Sequence, residues 1–358
     1  MKKLRVGILG ATGMVGQRFI SILSNHPWFE ISCLAASPQS AGKTYLKAIG
    51  DRWRIDKPMP EKVKKLIVLS VEDDINKICS QVDFVFSALD LEKDKIKSLE
   101  IAYAEKNIPV VSNNSAHRWT EDVPMIMPEI NFNHIKLIDI QRKKRNWKRG
   151  LITVKPNCSI QSYVSILTPL MKFLPTEVVV TSMQAISGAG KTFKMWPEMI
   201  DNVIPYIGEE EEKSENEPMK IWGKIKKEKI ILAKKPKISA NCIRVPVSNG
   251  HMAVVTVKFK KKLAKSKIIE LVTSFDPLKN LKLPSSPKQF IKYFDEDNRP
   301  QTNIDRNYQN GMGISMGRLR QDSIFDWRFV ALSHNTVRGA AGGAVLLAEL
   351  LVKTGYIS

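Results

Sequence analysis

Short apolar runs alternate with amphipathic segments from the N-terminus to Val154. The amphipathic segments carry apolar residues at helical spacing, whereas the apolar runs are rich in β-branched and aromatic residues. Strands are predicted at 4–9, 29–36, 66–70, 82–88, 108–112 and 151–154. Continuous apolar strands that alternate with helices predict an α/β fold with a parallel, doubly wound sheet, whose ligand loops lie at the carboxyl ends of the strands.

The hydrophobic pattern changes after Val178. Longer β-rich runs follow at 178–186, 242–247 and 251–259, and the charged helical segments between them predict an α+β domain with a mixed sheet. A final segment rich in small residues opens a helix, which we expect to pack closely and to return to the first domain. The predicted parts are 1–156, 157–332 and 333–358.

A glycine-rich turn joins the first predicted strand to an amphipathic helix at 17–24. Gly10, Gly13 and Gly16 form the pattern GxxGxxG. In a strand–turn–helix–strand unit, such glycines let a helix N-terminus approach a pyrophosphate, which the backbone N–H groups bind. The surrounding unit favours dinucleotide binding over a purely structural turn and makes the first domain Rossmann-like.

The end of the second predicted strand indicates which dinucleotide binds. NAD-specific sites place a carboxylate there to bind the ribose hydroxyl groups. This chain has no acidic residue between Leu34 and Lys43, but it has Ser37, Ser40 and Lys43, which can bind a 2′-phosphate. The sequence therefore predicts NADP, and Ser87 at the end of another strand is expected to border it.

Cys158 is the strongest candidate for a nucleophile. It follows the predicted strand 151–154 and Pro156, and it precedes a predicted helix at 160–173. A thiol at a helix N-terminus lies at the positive end of the helix dipole, which is expected to lower its pKa. A free cysteine is more often a small buried apolar residue, but this context favours a reactive role.

The other cysteines indicate the compartment. Cys33 and Cys79 are interpreted as packing residues, and Cys242 is left undecided. No CxxC pair and no histidine at zinc spacing occurs, so we predict no disulfide framework, no metal site and a reducing compartment. Because the N-terminal region does not match a signal peptide and no apolar run approaches a membrane span, a cytoplasmic protein with no membrane partner is expected.

The formal net charge of +20 over 358 residues raises the alternative of nucleic-acid binding. Basic runs occur at 142–149 and 258–262. Lysines are spread along the whole chain, however, and no nucleic-acid-binding motif accompanies the runs. We predict solvated lysine-rich faces and no nucleic-acid partner. The acidic run 209–212 is likewise interpreted as a solvated loop or helix start.

A second group of chemically capable residues lies at 244–251. Arg244 offers a planar fork for a carboxylate. Asn249 and Gly250 predict a tight turn that brings His251 back beside the same strand end, where it could exchange protons with Cys158. A histidine that only caps a hairpin is an equally good interpretation of the sequence alone.

Six motifs in this order resemble aspartate-semialdehyde dehydrogenases of the branch found in archaea, fungi and some bacteria. They lie at 10–16, 112–118, 156–159, 184–190, 244–251 and 334–342, so that the resemblance covers essentially the whole chain. It implies NADPH-dependent reduction of 4-phospho-L-aspartate to aspartate 4-semialdehyde and phosphate, toward lysine, threonine and methionine. It also implies a homodimer or homotetramer.

The resemblance assigns roles to the catalytic motifs. Cys158 matches the nucleophile that forms a thioester, His251 the acid/base, and Gln184 the residue that positions the acyl-enzyme. Asn157 precedes the thiol in the same motif. This asparagine argues against malonyl-CoA reductase, one related alternative.

The resemblance also implies how the substrate binds. Arg244 matches the ligand of the α-carboxylate, Arg118 and Lys220 the phosphate-binding pair, and Glu217 a carboxylate that faces the substrate amine. An arginine and a carboxylate for a free amino acid favour aspartyl phosphate over N-acetylglutamyl phosphate. A catalytically idle NADP-binding protein is the alternative outside this chemistry.

The cofactor contacts combine the glycine motif with family positions. One departure lies after Gly190, where Lys191 stands in place of the aromatic residue frequent in other members. The expected cofactor-binding residues are Gly10, Thr12, Gly13, Met14, Val15, Ser37, Ser40, Ser87, Gly188 and Asn335.

Overall fold

The computed structural model describes residues 2–358, and its N-terminal half is built on a parallel sheet. The strands of this sheet are β1 Leu4–Leu9, β2 Phe29–Ala36, β3 Val68–Ser70, β4 Phe84–Ser87, β5 Pro109–Ser112 and β6 Leu151–Val154. Their spatial order is β3-β2-β1-β4-β5-β6. The order reverses between β1 and β4, and ligand sites of doubly wound sheets lie outside the carboxyl ends of the strands at such a point.

The α-helices lie around this parallel sheet and around the sheet of the second domain. They are α1 Met14–Leu23, α2 Tyr45–Ile49, α3 Glu61–Lys64, α4 Ile75–Gln81, α5 Lys93–Glu105, α6 Pro128–Asn131, α7 Leu137–Arg145, α8 Gln161–Leu167, α9 Glu210–Ile221, α10 Lys265–Thr273, α11 Thr302–Asp305 and α12 Gly342–Lys353. Side chains of β1 alternate between the two layers: Ile8 packs with Phe19 of α1, whereas Leu9 packs with the layer that contains Tyr103 of α5.

The second domain is built on a mixed sheet. Its elements are β7 Pro175–Gln184, β8 Lys224–Lys226, β9 Lys229–Ile231, β10 Lys237–Arg244, β11 His251–Phe259, β12 Ile291–Phe294, β13 Ile314–Gln321 and β14 Trp327–Ser333. The six-stranded order is β10-β7-β11-β14-β13-β12, and β8 and β9 form a separate two-stranded ribbon. Strands β10 and β12 run parallel to their neighbours, while the other pairs are antiparallel. The predicted fold class is confirmed.

The mixed sheet has one covered and one open face. Val180 and Val255 point inward and share a core with Tyr163 and Val164 of α8. Alternate residues on the opposite face, such as Val254, are only half-buried. An amphipathic sheet that leaves one apolar face incompletely covered is suited to an interface with another chain.

The C-terminal helix packs against the first sheet. Leu346, Leu347 and Leu350 of α12 are fully buried in the same core as Val6 and Phe86. Each fully buried leucine is worth about 1.5–3 kcal/mol relative to an exposed one, so the helix is firmly anchored. The preceding turn, Val337–Ala341, is a wider π-helical turn beside Cys158.

Two local predictions differ from the structure. The helix predicted at 160–173 becomes the short α8 followed by a 3-10 segment, Thr168–Phe173, because Pro169 lacks the N–H that an α-helix needs. The alternative interpretation of His251 as a hairpin cap does not hold, because β7 lies between β10 and β11 in the sheet. Gly250 still adopts a positive φ of 99° in the connection.

In the part of the chain from residue 2 onward, no helix combines the length and apolarity that crossing a membrane requires.

Candidate active site and cofactor site

Cys158 lies in the turn between β6 and α8, close to the start of the helix. Asn157 shapes this turn: its side-chain oxygen accepts a hydrogen bond from the Ser159 N–H (2.7 Å), and its carbonyl accepts one from Gln161 (3.0 Å). On the other side, Gly339 leaves room for the thiol, because a Cβ at that position would stand 2.6 Å from the Cβ of Cys158. Cys158 is thus enclosed between the turn after β6 and the Gly339 motif.

The pKa of the Cys158 thiol is raised, contrary to the expectation from the helix dipole. Burial and, to a smaller extent, the nearby carboxylate of Glu210 raise this pKa to about 11. Positive charges on Lys155, Arg118 and Arg244 oppose the shift. Desolvation outweighs the dipole of a helix as short as α8, and the free site therefore holds a thiol at neutral pH.

His251 presents one ring nitrogen to the site. Its Nδ1 accepts a hydrogen bond from the Ala185 N–H (3.1 Å), which leaves the ring proton on Nε2. Within residues 2–358, this buried Nε2 finds no hydrogen-bond partner. Burial and the adjacent Arg244 lower the pKa of His251 to about 3, so the ring is neutral and offers an N–H donor to a ligand.

Arg244 and Gln184 end two neighbouring parallel strands, where they are partners in the register. The Arg244 guanidinium donates a hydrogen bond to the Ala185 carbonyl (2.7 Å) and is otherwise directed at the site. Gly188 permits this arrangement, since a Cβ there would lie 2.9 Å from Arg244 Nη1 and 3.1 Å from His251 Nε2. The structure thus brings these predicted residues together at one end of the mixed sheet.

Arg118 and Glu217 form a buried ion pair behind the nucleophile. Arg118 Nη1 lies 2.8 Å from Glu217 Oε1, and Arg118 Nε donates to the Lys155 carbonyl at 3.1 Å. The second Glu217 oxygen accepts the Asn157 backbone N–H at 2.7 Å. Arg118 also lines a cavity of about 550 Å³, which makes it accessible to a ligand.

Lys220 does not reach that cavity. Its ammonium group donates to the carbonyls of Arg118 (2.5 Å), Val123 (3.1 Å) and Thr120 (3.4 Å). Burial lowers its pKa to about 8. With its three hydrogens directed at carbonyl groups, Lys220 anchors the loop that carries Arg118, and the expectation that it binds phosphate directly does not fit this arrangement.

Glu210 enters the active site, although the sequence analysis assigned it to a solvated acidic run. Both of its oxygens accept hydrogen bonds from Asn157 Nδ2, at 2.9 and 3.1 Å, and one accepts from Gln184 Nε2 at 3.3 Å. The missed signal is helical spacing, because Glu210 and Glu217 lie two turns apart on α9 and therefore share a face.

Cys242 also lies beside this group, on β10. Its thiol is buried 3.6 Å from the Ser214 hydroxyl. Burial raises the pKa of Cys242 to about 11. It is a packing residue next to the site rather than a second exposed thiol.

The glycine-rich turn opens onto a second cavity of about 220 Å³, lined in part by Gly10, Thr12, Gly13 and Ser37. Gly10 has a φ of 84°, and a Cβ there would lie 2.2 Å from the Ala88 carbonyl oxygen. Position 10 can therefore accept only glycine. A turn that binds a pyrophosphate through its backbone needs such a residue. Met14 and Val15 follow as the first residues of α1.

Arg52 is a further residue of this cavity that sequence reasoning missed. It follows α2, and its Nη2 donates to the Ala48 carbonyl at 2.6 Å. No local sequence motif predicts this position, because Arg52 and Ser37 line the same cavity only once the chain between β2 and β3 has folded. A guanidinium beside a serine is a suitable pair for a phosphate group.

Two predicted cofactor residues are placed differently. Ser87 is fully buried behind the cavity, where its hydroxyl accepts a hydrogen bond from Asn114 Nδ2 (2.9 Å). Ser40 ends the 3-10 turn Pro38–Ser40 and does not line the cavity. The neighbours of Ser87, Ala88 and Leu89, form the wall instead.

Asn335 connects two loops of the mixed-sheet domain next to Gly188. Its Oδ1 accepts the Gly250 N–H (2.8 Å), and its Nδ2 donates to the Ser187 hydroxyl (2.9 Å). It therefore fixes the loops that carry Gly188 and His251. After Gly190, where the sequence departs from the family pattern, the Lys191 ammonium lies 4.4 Å from the ring centroid of Trp196.

The basic run at 142–149 is partly used inside the molecule. Arg142 donates to the carbonyls of Arg149 and Tyr356, and Arg145 pairs with Asp122. These contacts tie α7 to the C-terminus and to a neighbouring loop.

Comparison with known proteins agrees with this architecture. Residues 5–138 match the family described as semialdehyde dehydrogenase, NAD binding domain, and residues 167–338 match its dimerisation domain. The aspartate-semialdehyde dehydrogenase of Archaeoglobus fulgidus is 42% identical over 98% of this chain and 99% of its own length. That of Schizosaccharomyces pombe is 42% identical over 99% of both chains. This chain belongs to the aspartate-semialdehyde dehydrogenase family.

Solved structures of aspartate-semialdehyde dehydrogenases share the fold. The crystal structure of the Candida albicans enzyme with NADP has a TM-score of 0.88 at 36% identity, over 99% of this chain and 100% of that one. The Vibrio cholerae enzyme II complexed with ASA has a TM-score of 0.73 at 25% identity, over 98% of this chain and 99% of that one. The family resemblance inferred from the motifs is confirmed.

Proposed function

We propose that this chain catalyses the reversible, NADPH-dependent reduction of 4-phospho-L-aspartate to L-aspartate 4-semialdehyde and phosphate. The observation that carries the proposal is the convergence of the Cys158 turn, the Arg244 guanidinium and the unpartnered His251 Nε2. A carboxylate ligand, a thiol nucleophile and an N–H donor are the groups that this acyl transfer needs. The activity belongs to the synthesis of lysine, threonine and methionine.

The residues divide the reaction into two steps. Cys158 attacks the acyl carbon as the thiolate, the bond from that carbon to the phosphate oxygen breaks, and a thioester forms. The departing phosphate takes up the thiol proton and leaves toward Arg118 as hydrogen phosphate. NADPH, when bound, supplies the hydride that reduces this thioester. His251 Nε2–H then donates a hydrogen bond to the resulting oxyanion, and collapse of the oxyanion expels the thiolate and releases the aldehyde.

The residues around the glycine-rich turn would hold NADP. The backbone of Gly10 to Gly13 and the start of α1 would bind the pyrophosphate, and Ser37 with Arg52 would bind the 2′-phosphate. Gly188 and Asn335 would border the nicotinamide end of the cofactor. Free thiols on the four cysteines support a reducing, cytoplasmic compartment.

The active unit is a homodimer formed through the open face of the mixed sheet. Val254 on that face pairs with Thr181 on one side and Val330 on the other, and all three are only half-buried. A second copy of the chain would cover this stripe.

We place the domain boundaries near residues 156 and 332. Cys158 and Asn335 lie just after these two points, where the chain passes from one domain to the other.

A coupled assay tests the function. Purified protein is mixed with aspartate semialdehyde, phosphate and NADP, and NADPH formation is followed by absorbance. Cys158→Ser retains the shape but loses the thiolate, so turnover should fall by on the order of 10³-fold or more while NADP binding is retained. Substantial activity in this variant would contradict the assigned nucleophile, and an inactive wild-type protein would contradict the function.

A further inference from the structure

Lys155 is a buried lysine close to Cys158 that the reaction described above does not use. It directly follows β6, lies three positions before the nucleophile and is only 2% exposed. Its backbone is fixed, because its N–H donates to the Ser112 carbonyl (2.9 Å) and its carbonyl accepts a hydrogen bond from Arg118 Nε (3.1 Å). Lysine is rarely buried to this extent unless its charge is paired.

The Lys155 side chain ends at the turn that encloses Cys158. Lys155 Nζ donates a hydrogen bond to the Gly339 carbonyl at 2.8 Å. Gly339 belongs to the π-helical turn Val337–Ala341, and a Cβ at this glycine would stand 2.6 Å from the Cβ of Cys158. The same residue therefore binds the lysine through its carbonyl and faces the nucleophile with its Cα.

The start of α12 leaves room for the lysine. Gly343 lies beside it, since a Cβ there would stand 2.3 Å from Lys155 Cε and 3.3 Å from Lys155 Nζ. A side chain at position 343 would displace the amino group from the Gly339 carbonyl. Two glycines thus hold Lys155 and Cys158 against the same turn.

No carboxylate pairs with Lys155. Glu129 is close enough for its charge to act on the lysine, but both of its oxygens are bound by Arg338 in a buried ion pair. Among residues 2–358, Lys155 has no ion-pair partner, and the Gly339 carbonyl is the one acceptor for its Nζ. A neutral carbonyl does not offset a buried positive charge.

The charges around Lys155 leave the Cys158 thiolate as its available anionic partner. Burial and the positive charge of Arg338 lower the pKa of Lys155 well below its ordinary value, and Arg118 lowers it further. A Cys158 thiolate acts in the opposite direction, more strongly than Glu129 does. The interaction is mutual, and Lys155 is the strongest of the three cations that lower the pKa of Cys158.

The other charged groups around Cys158 have different partners. Glu210 is negative and disfavours the thiolate. Arg118 already forms a buried ion pair with a carboxylate of α9, and Arg244 is assigned to the α-carboxylate of the substrate. Lys155 is the cation of this group that has no anion of its own.

We propose that Lys155 supplies the positive charge that the Cys158 thiolate needs during acyl transfer, and that the Gly339 turn holds the lysine in place for this purpose. This inference rests on the proposed function and deepens it. Lys155 acts through Cys158 rather than on the substrate, and in this sense it is a positioning residue. The two buried charges stabilise each other only when both are present.

The test uses alkylation of Cys158, which needs the thiolate but not turnover. Wild-type protein and Lys155→Met, whose side chain is of similar length without a charge, are treated with iodoacetamide at pH 8. Mass spectrometry follows the peptide that contains Cys158. The rate in Lys155→Met should fall by on the order of 10-fold or more, because one unit of pKa changes the thiolate fraction tenfold.

Turnover gives the second measurement. In the coupled assay, kcat of Lys155→Met should fall by a factor similar to that of the alkylation rate. The Michaelis constants for the semialdehyde and phosphate should change little, because Arg244 and Arg118 are retained.

Two further variants serve as controls. Lys155→Gln retains an N–H donor for the Gly339 carbonyl but has no charge, so both rates should stay low. It also keeps the experiment decisive if thermal melting shows that Lys155→Met is poorly folded. Lys62→Met removes an exposed lysine of α3 and should leave both rates unchanged.

Three outcomes would overturn the inference. Recovery of both rates in Lys155→Gln would reduce Lys155 to a hydrogen-bond donor for the turn. Unchanged alkylation with a lower kcat would show that Lys155 does not act on the thiolate. A raised Michaelis constant with unchanged kcat would assign the lysine to substrate binding. A wild-type protein that is inactive in the coupled assay, but whose alkylation depends on Lys155, would contradict the proposed function and still support the pairing of Lys155 with Cys158.

Discussion

The charges around Cys158 act in opposite directions. Glu210 and burial stabilise the thiol, whereas Lys155, Arg118 and Arg244 stabilise the thiolate. In the unliganded site, burial and Glu210 outweigh the three basic residues, and the pKa of Cys158 is raised. Cys158 is therefore held as a thiol, which slows its oxidation and alkylation.

The first residue-scale prediction concerns pH. With a Cys158 pKa of about 11, the thiolate fraction at pH 7 is on the order of 10⁻⁴. Inactivation of the free enzyme by iodoacetamide should accelerate close to tenfold per pH unit from pH 7 and level off near pH 11. Residual activity after timed exposure at each pH measures this rate. A plateau already reached at pH 8 would contradict the raised pKa.

His251 provides a second pH statement. Because its pKa is lowered to about 3, the ring stays neutral between pH 5 and 9 and gains a proton only in strong acid. Any fall in kcat/KM between pH 5 and 7 should therefore not follow a histidine titration, and in His251→Asn the same pH profile should persist at a lower level. A fall in kcat/KM with a midpoint near pH 6.5 in the wild-type protein, absent from His251→Asn, would contradict the lowered pKa of His251.

The third prediction separates binding from chemistry. Lysine has a point charge without the planar fork of arginine, so Arg244→Lys should mainly raise the Michaelis constant for the semialdehyde. His251→Asn removes the donor to the oxyanion but leaves Arg244, so kcat should fall by on the order of 10²-fold while substrate affinity changes less. Both constants are measured for both variants, and reversed effects would disprove the assigned roles.

At the scale of elements, three connecting segments meet only after folding. The turn after β1 carries Gly10 and Gly13, the turn after β2 carries Ser37, and the segment after α2 brings Arg52 to the same cavity. Helix α9 acts similarly on the substrate side, because one helical face presents both Glu210 and Glu217 to Asn157. Short rigid elements thus bring together charged residues that lie far apart in the sequence.

The cofactor prediction belongs to this scale. A carboxylate in Ser37→Asp would repel the 2′-phosphate, so the ratio of kcat/KM for NADP to that for NAD should fall by on the order of 10-fold or more. Arg52→Ala should lower the same ratio by removing a positive partner. Ser40→Asp is the matched control, since Ser40 lies off the cavity wall, and an equal effect there would show that the 2′-phosphate binds elsewhere.

The whole molecule is expected to be completed by a second copy. Val254→Asp places a charge in the middle of the open sheet face, and burial of that charge in an interface is costly. Light scattering coupled to size-exclusion chromatography should then report monomers, whereas the wild-type protein gives dimers. Ile324→Asp alters an exposed turn residue and should leave the dimer intact. Dimers that persist in Val254→Asp would contradict this interface.

The chain itself determined the features that depend on neighbouring residues. Alternating apolar strands and amphipathic helices predicted the parallel sheet, and β1, β2, β6 and β11 have the predicted bounds. GxxGxxG and the strand–turn–cysteine context identified Gly10 and Cys158 in the same way. These signals are local, because backbone periodicity and turn chemistry are encoded within about ten residues.

Only the tertiary structure decided the features that depend on distant residues. It inserted β7 between β10 and β11 and moved Lys220 and Ser87 behind the cavity walls. It also brought Arg52 into the wall of the cavity at the glycine-rich turn, and Glu210 into contact with Asn157 and Gln184. It also reversed the expected pKa shift of Cys158. Desolvation and charge interactions act through space, so residues more than fifty positions apart set the chemistry of the site and no local pattern records them.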